Sequence, residues 1–373
     1  MAGIYIHIPF CKVKCNYCDF HFSTNQKYLS KMTKAICLEL EDRRQYLERD
    51  LIKTIYFGGG TPSILPLNDL KLIINTVYEN YQVESDLEFT FEANPDDLTE
   101  QKLIDLKSVG INRLSIGIQS FDNDQLVFMN RAHNSLEANN CVQLAQKHGF
   151  DNITIDLIYG LPDTDESYWN KQVQKAIDLN VNHISAYCLT IEDKTVFGNW
   201  YKKGKLKPLA DEDGLKQFRL LQSELNNVGF DHYEISNFSK DGFISKHNSA
   251  YWLGEKYLGI GPSAHSYNGP SRQWNIANNI TYIRALSDKT SYFEVEVLTQ
   301  KDKFNEYVLT RLRTKWGVNI LDLFEICPFA QSGTQKRINA FVLNGDLELN
   351  LNVITLSQQG KFIADYISSE LFI

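Results

Sequence analysis

The chain has 373 residues, of which 43% are hydrophobic and 23% charged, as expected for a globular protein with one large and one smaller domain. Its 38 basic and 46 acidic residues give a net charge of −8, so binding to nucleic acid, which needs a surplus of lysine and arginine, is not expected. Because no segment approaches the ~18–20 apolar residues of a membrane span and no secretory signal precedes the first strand, we expect a cytoplasmic protein without a membrane span.

The first half of the chain repeats a unit of one strand followed by one helix. Short runs rich in Ile, Val, Phe and Tyr predict buried parallel strands at 4–8, 54–57, 88–92, 113–118, 154–158 and 183–188. Amphipathic segments between them predict helices at 28–46, 67–80, 99–109 and 136–148.

Alternating strands and helices predict a parallel sheet with right-handed crossovers, which is either doubly wound or a barrel. Each predicted strand ends in polar residues or glycine, and functional groups at the C-terminal ends of successive strands are typical of β/α barrels. Because there are six such strands rather than eight, we expect an α/β fold with an incomplete (β/α)6 barrel that is open on one side.

The pattern changes after about residue 190. We expect residues 193–213 to be irregular, 214–228 to be a helix, and 230–267, rich in glycine, aromatic residues and histidine, to be a structured loop.

The last part of the chain has a different order of elements. Predicted helices at 303–313, 321–326 and 334–344 precede a hairpin of 347–351 with 353–356 and a closing helix at 357–371. This order predicts a small C-terminal winged-helix-like domain, so we divide the chain into 1–295 and 296–373. Residues 300–373 hold eight basic and eight acidic residues, which favours a packing or partner-binding role over DNA binding.

Three of the seven cysteines, Cys11, Cys15 and Cys18, form a C-x3-C-x2-C pattern directly after the first strand. Such crowding in a large chain indicates a metal or redox site rather than disulfides, and thiolates suit iron–sulfur clusters or zinc. Structural zinc usually has four ligands, whereas a cubane held by three thiolates keeps one iron open for a small molecule. A zinc site closed by His7 or His21 stays an alternative.

The motif Gly58-Gly59-Gly60-Thr61-Pro62 follows the second strand. Glycine lets the backbone approach a ligand closely, although a tight turn explains such a run equally well. Its position one strand–helix unit after the cysteines favours a binding role.

The C-x3-C-x2-C motif, with Tyr17 before its last cysteine, resembles the signature of the radical SAM superfamily, in which S-adenosylmethionine (SAM) chelates the open iron of a [4Fe–4S] cluster. Further motifs occur in the order found in the oxygen-independent coproporphyrinogen III oxidase-like family, and the resemblance covers almost the whole chain. They are Tyr5-Ile-His7-Ile-Pro-Phe-Cys11, Phe57-Gly-Gly-Gly-Thr61-Pro62-Ser63, Phe91-Glu92-Ala-Asn-Pro95, Ser115-Ile-Gly-Ile-Gln119-Ser-Phe121 and Ile155-Asp156-Leu-Ile-Tyr-Gly160-Leu-Pro162.

The resemblance implies that the three cysteines bind the cluster and that a further set of residues binds SAM. Carboxylates can accept hydrogen bonds from the ribose or amino group of SAM, a glutamine can donate and accept, and an arginine can pair with its carboxylate. For each of these carboxylates, the glutamine and the arginine alone, a structural role at the barrel mouth is an equal alternative, but together at successive strand ends they favour a binding role. The set is Tyr5, Tyr17, Gly59, Gly60, Thr61, Glu92, Gln119, Arg131 and Asp156.

This family contains true coproporphyrinogen dehydrogenases and a branch of heme chaperones, HemW. The dehydrogenases carry a cysteine two residues after the last cluster ligand, where this chain has Phe20, and an N-terminal extension that we expect this chain to lack. The segment from His247 to Trp252 resembles the H-N-x-x-Y-W motif of HemW, in which histidine would bind heme iron and the aromatic rings would flank the porphyrin. A satisfied histidine in an aromatic cluster is the structural alternative, and His265 is a weaker second candidate.

The resemblance therefore implies a heme chaperone rather than a coproporphyrinogen III oxidase, although the scaffold is that of a class of enzymes. Its cofactors would be a [4Fe–4S] cluster, SAM and heme. Its partners would be an electron donor for the cluster and acceptor hemoproteins, with those of respiration as the first candidates. Oxidative decarboxylation of coproporphyrinogen III is the main alternative, and a zinc-stabilised interaction protein is a third.

Overall fold

The structure is a computed structural model that describes residues 2–373. Its central feature is a twelve-stranded sheet whose middle consists of six parallel strands in sequence order. The strands are β1 (Ala2–Ile8), β2 (Ile52–Gly59), β3 (Val83–Ala93), β4 (Arg113–Gln119), β5 (Asn152–Tyr159) and β6 (His183–Cys188). All six predicted strands are confirmed, although β3 begins earlier than expected.

Helices connect these strands and cover the outside of the sheet. They are α1 (Leu29–Asp42), α2 (Leu67–Asn80), α3 (Glu100–Ser108), α4 (Asn123–Phe128), α5 (Ser135–Lys147) and α6 (Glu166–Asp178). Local sequence sets where they begin: α5 starts with a capping box of Asn134 and Glu137, and the side chain of Asp165 accepts from a backbone N–H in the first turn of α6.

The core lies between these helices and the strands. Residues on both faces of the parallel strands are buried, as in the adjacent Ile6 and His7 of β1, which is typical of a sheet whose two faces are covered. Within residues 2–373, β1 and β6 are not hydrogen-bonded to each other. The six-stranded barrel is therefore incomplete, as predicted.

Short strands extend the sheet at both edges. At one edge β9 (Lys256–Ile260) pairs parallel with β1 and is followed by antiparallel β10 (His265–Tyr267), β11 (Ser271–Asn275) and β12 (Phe293–Val297). At the other edge β6 pairs with β8 (Asn237–Ser239), which pairs with β7 (Asp231–Glu234). Four helices lie along this part of the chain: α7 (Val196–Lys202), α8 (Asp211–Asn227), α9 (Lys246–Trp252) and α10 (Asn279–Asp288).

Two sequence predictions in this region were wrong. Residues 230–267, expected to be a structured loop, contain four strands and α9, because these strands are stabilised by distant partners such as β1 and β6 rather than by local periodicity. Residues 193–213, expected to be irregular, contain α7, whose first turn is capped by the side chain of Thr195.

The C-terminal part has its own small core and a three-stranded antiparallel sheet of order β13-β15-β14. Its elements are α11 (Gln300–Leu312), β13 (Val318–Asn319), α12 (Ile320–Ile326), α13 (Gln331–Leu343), β14 (Leu347–Asn350), β15 (Val353–Leu356) and α14 (Ala364–Leu371). The hairpin and fold class are as predicted, and the last helix starts later than expected. The proposed boundary after residue 295 falls within β12, and the division into domains stays a prediction.

No helix within residues 2–373 is both long and apolar enough to cross a membrane.

One buried carboxylate, Glu39 in α1, joins this helix to the strands added beside β1. Its side chain is 0% exposed and accepts hydrogen bonds from the backbone N–H of Gly261 at 2.8 Å, from Nδ2 of Asn275 at 2.7 Å and from the hydroxyl of Tyr282. Nη1 of Arg43 lies 3.5 Å from Oε1. Burial raises the pKa of Glu39, and these donors oppose that rise.

We expect Glu39→Ala to lower the free energy of unfolding by about 3–5 kcal/mol, because it removes the carboxylate beside the buried guanidinium of Arg43 and the acceptor of the Gly261 N–H and the Tyr282 hydroxyl. Chemical denaturation followed by circular dichroism measures this. Glu41→Ala, on the exposed face of the same helix, is the matched control and should cost no more than about 0.5 kcal/mol. Equal losses in the two variants would contradict the role of Glu39.

Candidate cofactor site at the barrel mouth

The loop that carries the cysteines is held against the loop after β2 by backbone contacts. The N–H of Gly60 donates to the carbonyl of Ile8 at 2.9 Å, and the N–H of Thr61 donates to the carbonyl of Phe10 at 2.7 Å. A Cβ at Gly60 would lie 2.6 Å from the oxygen of Phe10, and Gly59 has a φ of +106°. Both positions therefore require glycine for packing, whether or not they also contact a ligand.

A cavity of about 660 Å³ opens at the C-terminal ends of the parallel strands. We name it the barrel-mouth cavity. All the predicted cluster and SAM residues line it except Tyr5, and the predicted heme residue His247 also lies outside it. Those that line it are Cys11, Cys15, Cys18, Tyr17, Gly59, Gly60, Thr61, Glu92, Gln119, Arg131 and Asp156.

The three cysteines line this cavity as free thiols. Burial, together with the neighbouring Cys18 and Cys15, raises the pKa of Cys11 to about 11, and burial also raises the pKa of Cys18. The thiols of Cys11 and Cys18 are therefore protonated at neutral pH, and loading of metal on them must release protons.

The arrangement of these thiols suits a cluster better than a single ion. No three His, Cys, Asp or Glu side chains in the part of the chain that the structure describes are grouped to hold one ion. The zinc alternative required His7 or His21, but both line a different cavity, and the ring nitrogens of His7 contact the hydroxyl of Tyr5 and the carbonyl of His21. Thiolates that each bind a different iron need no such grouping.

Arg131 connects the cysteine loop to the barrel. Its Nη1 lies 3.3 Å from Sγ of Cys15 and 3.2 Å from the hydroxyl of Tyr17, and its Nη2 donates to Oδ1 of Asn94 and to the carbonyl of Gly117, both at 2.8 Å. Its Nε is buried without a hydrogen-bond partner in residues 2–373. A buried cation with an unused donor beside a ligand-sized cavity suits a carboxylate ligand.

Two half-buried carboxyl groups, those of Glu92 and Asp156, line the barrel-mouth cavity. Glu92 accepts from the hydroxyl of Tyr56 at 2.7 Å and from the N–H of Gly59 at 3.2 Å, and burial raises its pKa to about 7. Asp156 accepts from the hydroxyl of Ser115 at 3.4 Å, and burial raises its pKa to about 6. Carboxyl groups with raised pKa values inside a cavity are typical of sites that bind a polar or cationic ligand.

Gln119 ends β4 in a strained conformation, with a φ of +66°, at an irregularity in the pairing with β5. A non-glycine residue held in this region at a cavity is a common feature of functional sites. Sequence reasoning missed Asn94 and Gly117, which position Arg131, and Ser115, which bonds Asp156. The only available signal was their position inside the motifs that contain Glu92 and Gln119.

Tyr5 and His247 do not line this cavity, but both rings pack against Tyr56, whose hydroxyl donates to Glu92 in its wall. Tyr5 lines a second cavity that also contains Tyr251 and Trp252. His247 is 2% exposed, and its Nδ1 lies 2.7 Å from the hydroxyl of Thr54 while its Nε2 lies 2.8 Å from the hydroxyl of Tyr251. Both ring nitrogens of His247 have hydrogen-bond partners, so its role in heme binding stays a prediction. Tyr5 does not line the barrel-mouth cavity, so its role in SAM binding stays a prediction as well.

Comparison with known proteins defines the class. A sequence profile of the radical SAM superfamily matches residues 5–171, which include the cysteines, the glycine motif, Glu92, Gln119, Arg131 and Asp156. The fold is similar to that of coproporphyrinogen III oxidase (HemN) from Escherichia coli, described as a radical SAM enzyme, with a TM-score of 0.86 and 20% identity over 100% of this chain and 90% of that chain.

Curated relatives define the family within this class. The chain is 36% identical to the heme chaperone HemW of Bacillus subtilis over 86% of this chain and 85% of that protein. It is also 36% identical to the heme chaperone HemW of Lactococcus lactis, over 86% of this chain and 83% of the relative. The chain belongs to the HemW family of the radical SAM superfamily, which confirms the resemblance found in its motifs.

Glu92 makes the stability of the ligand-free protein depend on pH. The Glu92 carboxyl keeps its proton up to about pH 7 in the folded state, whereas in the unfolded state it loses the proton near pH 4.5. Between these pH values the folded state binds more protons than the unfolded state, so rising pH destabilises the folded state. We expect the free energy of unfolding to fall by about 3 kcal/mol more in the wild type than in Glu92→Gln between about pH 5 and pH 8. Denaturation curves at the two pH values test this, and parallel slopes for the two proteins would disprove it.

Proposed function

We propose that this chain is a heme chaperone that carries a [4Fe–4S] cluster, binds SAM and passes heme to acceptor hemoproteins, respiratory ones first among them. The observation that carries the cofactor part is the barrel-mouth cavity, which brings Cys11, Cys15 and Cys18 together with Glu92 and Arg131. The chaperone part is supported by relatives named heme chaperone HemW, which this chain matches over most of their length.

The residues of the barrel-mouth cavity fit the proposed cofactors. The three thiolates would hold the cluster and keep one iron open for the amino and carboxylate groups of SAM. Arg131, whose Nε has no partner, would pair with the SAM carboxylate, and Glu92 or Asp156 would accept from its ribose or amino group. A reduced cluster with bound SAM supplies radical chemistry, and an electron donor would be needed for that step.

The coproporphyrinogen III oxidase activity of the structural relative is not proposed for this chain, because 20% identity to that enzyme supports the fold alone. In the oxidases a further cysteine lies two residues after the last cluster ligand, whereas here Phe20 occupies that position and is 74% exposed at the cavity.

We place the protein in the cytoplasm, and we assign residues 1–295 to the barrel and 296–373 to a module for packing or partner binding.

Replacement of the three cysteines tests the cluster assignment. We expect Cys11→Ala, Cys15→Ala and Cys18→Ala each to abolish cluster loading on anaerobic reconstitution with iron and sulfide, because each removes the ligand of one iron. Iron and sulfide analysis with electron paramagnetic resonance of the reduced protein measures this. The control is Cys188→Ala, which removes a thiol from the wall of the same cavity and should load fully. A full cluster in any of the three variants, or zinc without sulfide in the wild type, would refute the assignment.

Heme transfer separates the chaperone from the oxidase. We expect the reconstituted protein to bind hemin and to restore quinol oxidase activity to heme-depleted respiratory membranes faster than hemin supplied on albumin. A parallel anaerobic assay with coproporphyrinogen III, SAM and a reductant should give no protoporphyrinogen IX. Failure to bind hemin, or formation of protoporphyrinogen, would overturn the proposal in favour of the oxidase.

A further inference from the structure

The second cavity, of about 720 Å³, lies between the barrel edge at β9–β11 and helix α11. We name it the aromatic cavity. Its volume falls within the range of about 300–1,000 Å³ that is common for cofactor sites. Both of the aromatic residues at the end of the H-N-x-x-Y-W motif, Tyr251 and Trp252, line it, so this motif contributes to the wall although its histidine does not.

Aromatic rings dominate the wall of this cavity. Tyr251 packs edge-on against Tyr257 with 4.5 Å between ring centroids, and Tyr267 lies 6.2 Å from Tyr257. The indole Nε1 of Trp252 is buried and has no hydrogen-bond partner in residues 2–373. Rings with polar tips and an unused buried donor form a surface for a flat, largely apolar ligand that carries a few polar groups.

The charge of the aromatic cavity is opposite to that of the whole protein. It is lined by Arg272, Lys303 and Arg311 against the single carboxylate of Glu306, while the chain has a net charge of −8. Arg272 is paired with Glu306 at 2.6 Å. Lys303 has no hydrogen bond or ion pair from its side chain within the described chain, and Arg311 donates only to the carbonyl of Leu253 and lies over the ring of Tyr307. Two cations are therefore available for two anionic groups.

One histidine of this cavity has both ring nitrogens free. His265, at the start of β10, is exposed, lies 6.3 Å from the ring of Trp274, and makes no side-chain hydrogen bond within residues 2–373. Both nitrogens of His7 are engaged, and Nε2 of His21 contacts Oδ1 of Asn279 at 2.7 Å. A neutral imidazole nitrogen without a partner is the usual protein ligand of heme iron.

From these observations we propose that the aromatic cavity is the heme site, with His265 as the iron ligand and with Lys303 and Arg311 bound to the two propionates. The proposal rests on the proposed chaperone function and assigns a site to it. His247 is then a positioning residue, since its hydrogen bond to Tyr251 orients a ring of the wall. Phe20 lines both cavities, so bound heme would contact the loop that carries the cysteines.

The iron ligand is tested by titrating the full-length protein with ferric hemin under anaerobic conditions. We expect His265→Ala to weaken binding by about tenfold or more and to remove the absorption and resonance signature of histidine-ligated iron. His247→Ala should weaken binding less and keep that signature, and His21→Ala is the matched control in the same wall. Because His265 is exposed and makes no hydrogen bond, its variant should keep the wild-type melting temperature.

The propionate contacts are tested by charge reversal on α11. We expect Lys303→Glu to weaken hemin binding by about fivefold and to leave binding of heme dimethyl ester, which has no free carboxylates, unchanged. Lys301→Glu, exposed on the same helix outside the cavity, is the matched control and should leave both ligands unaffected.

The outcomes separate the site from the function. If the wild type binds hemin while His265→Ala keeps the histidine signature and Lys303→Glu keeps full affinity, the site lies elsewhere and the chaperone function stands. If His247→Ala alone removes the signature, His247 is the iron ligand and the present assignment is wrong. If the wild type binds no hemin, the proposed function itself fails.

Discussion

The close contact between the loops after β1 and β2 is the constraint on which the cofactor site depends. Parallel strands bring their C-terminal ends to one edge of a sheet, but this alone does not fix a flexible cysteine loop above that edge. The backbone hydrogen bonds from Gly60 and Thr61 fix it, and they form only because neither Gly59 nor Gly60 carries a Cβ. Arg131 then reaches Cys15 and Tyr17 from the far side of the barrel. The cysteines thus face Glu92 and Asp156 across one cavity.

Most of the barrel was predictable because its strands are buried on both faces and its helices are amphipathic, so each element is visible in a short window of sequence. The same local reasoning failed for residues 230–267. The strands there are short, and β9 gains its place by pairing with β1, more than two hundred residues earlier in the chain. Such pairing depends on tertiary context, which no local periodicity reports. The position of Asn94 beside Arg131 was hidden for the same reason.

The motif around His247 shows what a sequence pattern can and cannot give. It correctly indicated a group of aromatic residues, and Tyr251 and Trp252 do line a ligand-sized cavity. It did not indicate which histidine has a free nitrogen, because this depends on Thr54 and Tyr251 closing the hydrogen bonds of His247. Its burial lowers its pKa to about 3, so the ring is neutral and is part of the packing between α9 and β2. His265, which lies outside the motif, has no such partners.

Phe20 lies between the barrel-mouth cavity and the aromatic cavity and lines both. It is a large apolar side chain left 74% exposed, so any ligand that covers it gains from removing that surface from water. A ligand in either cavity would cover part of the same ring. Two ligands that share the burial of one side chain are thermodynamically linked, and each must change the affinity of the other by the same factor. Because Phe20 stands where the oxidases have a cysteine, a ligand in the aromatic cavity would change the affinity of the barrel-mouth cavity for its own ligand.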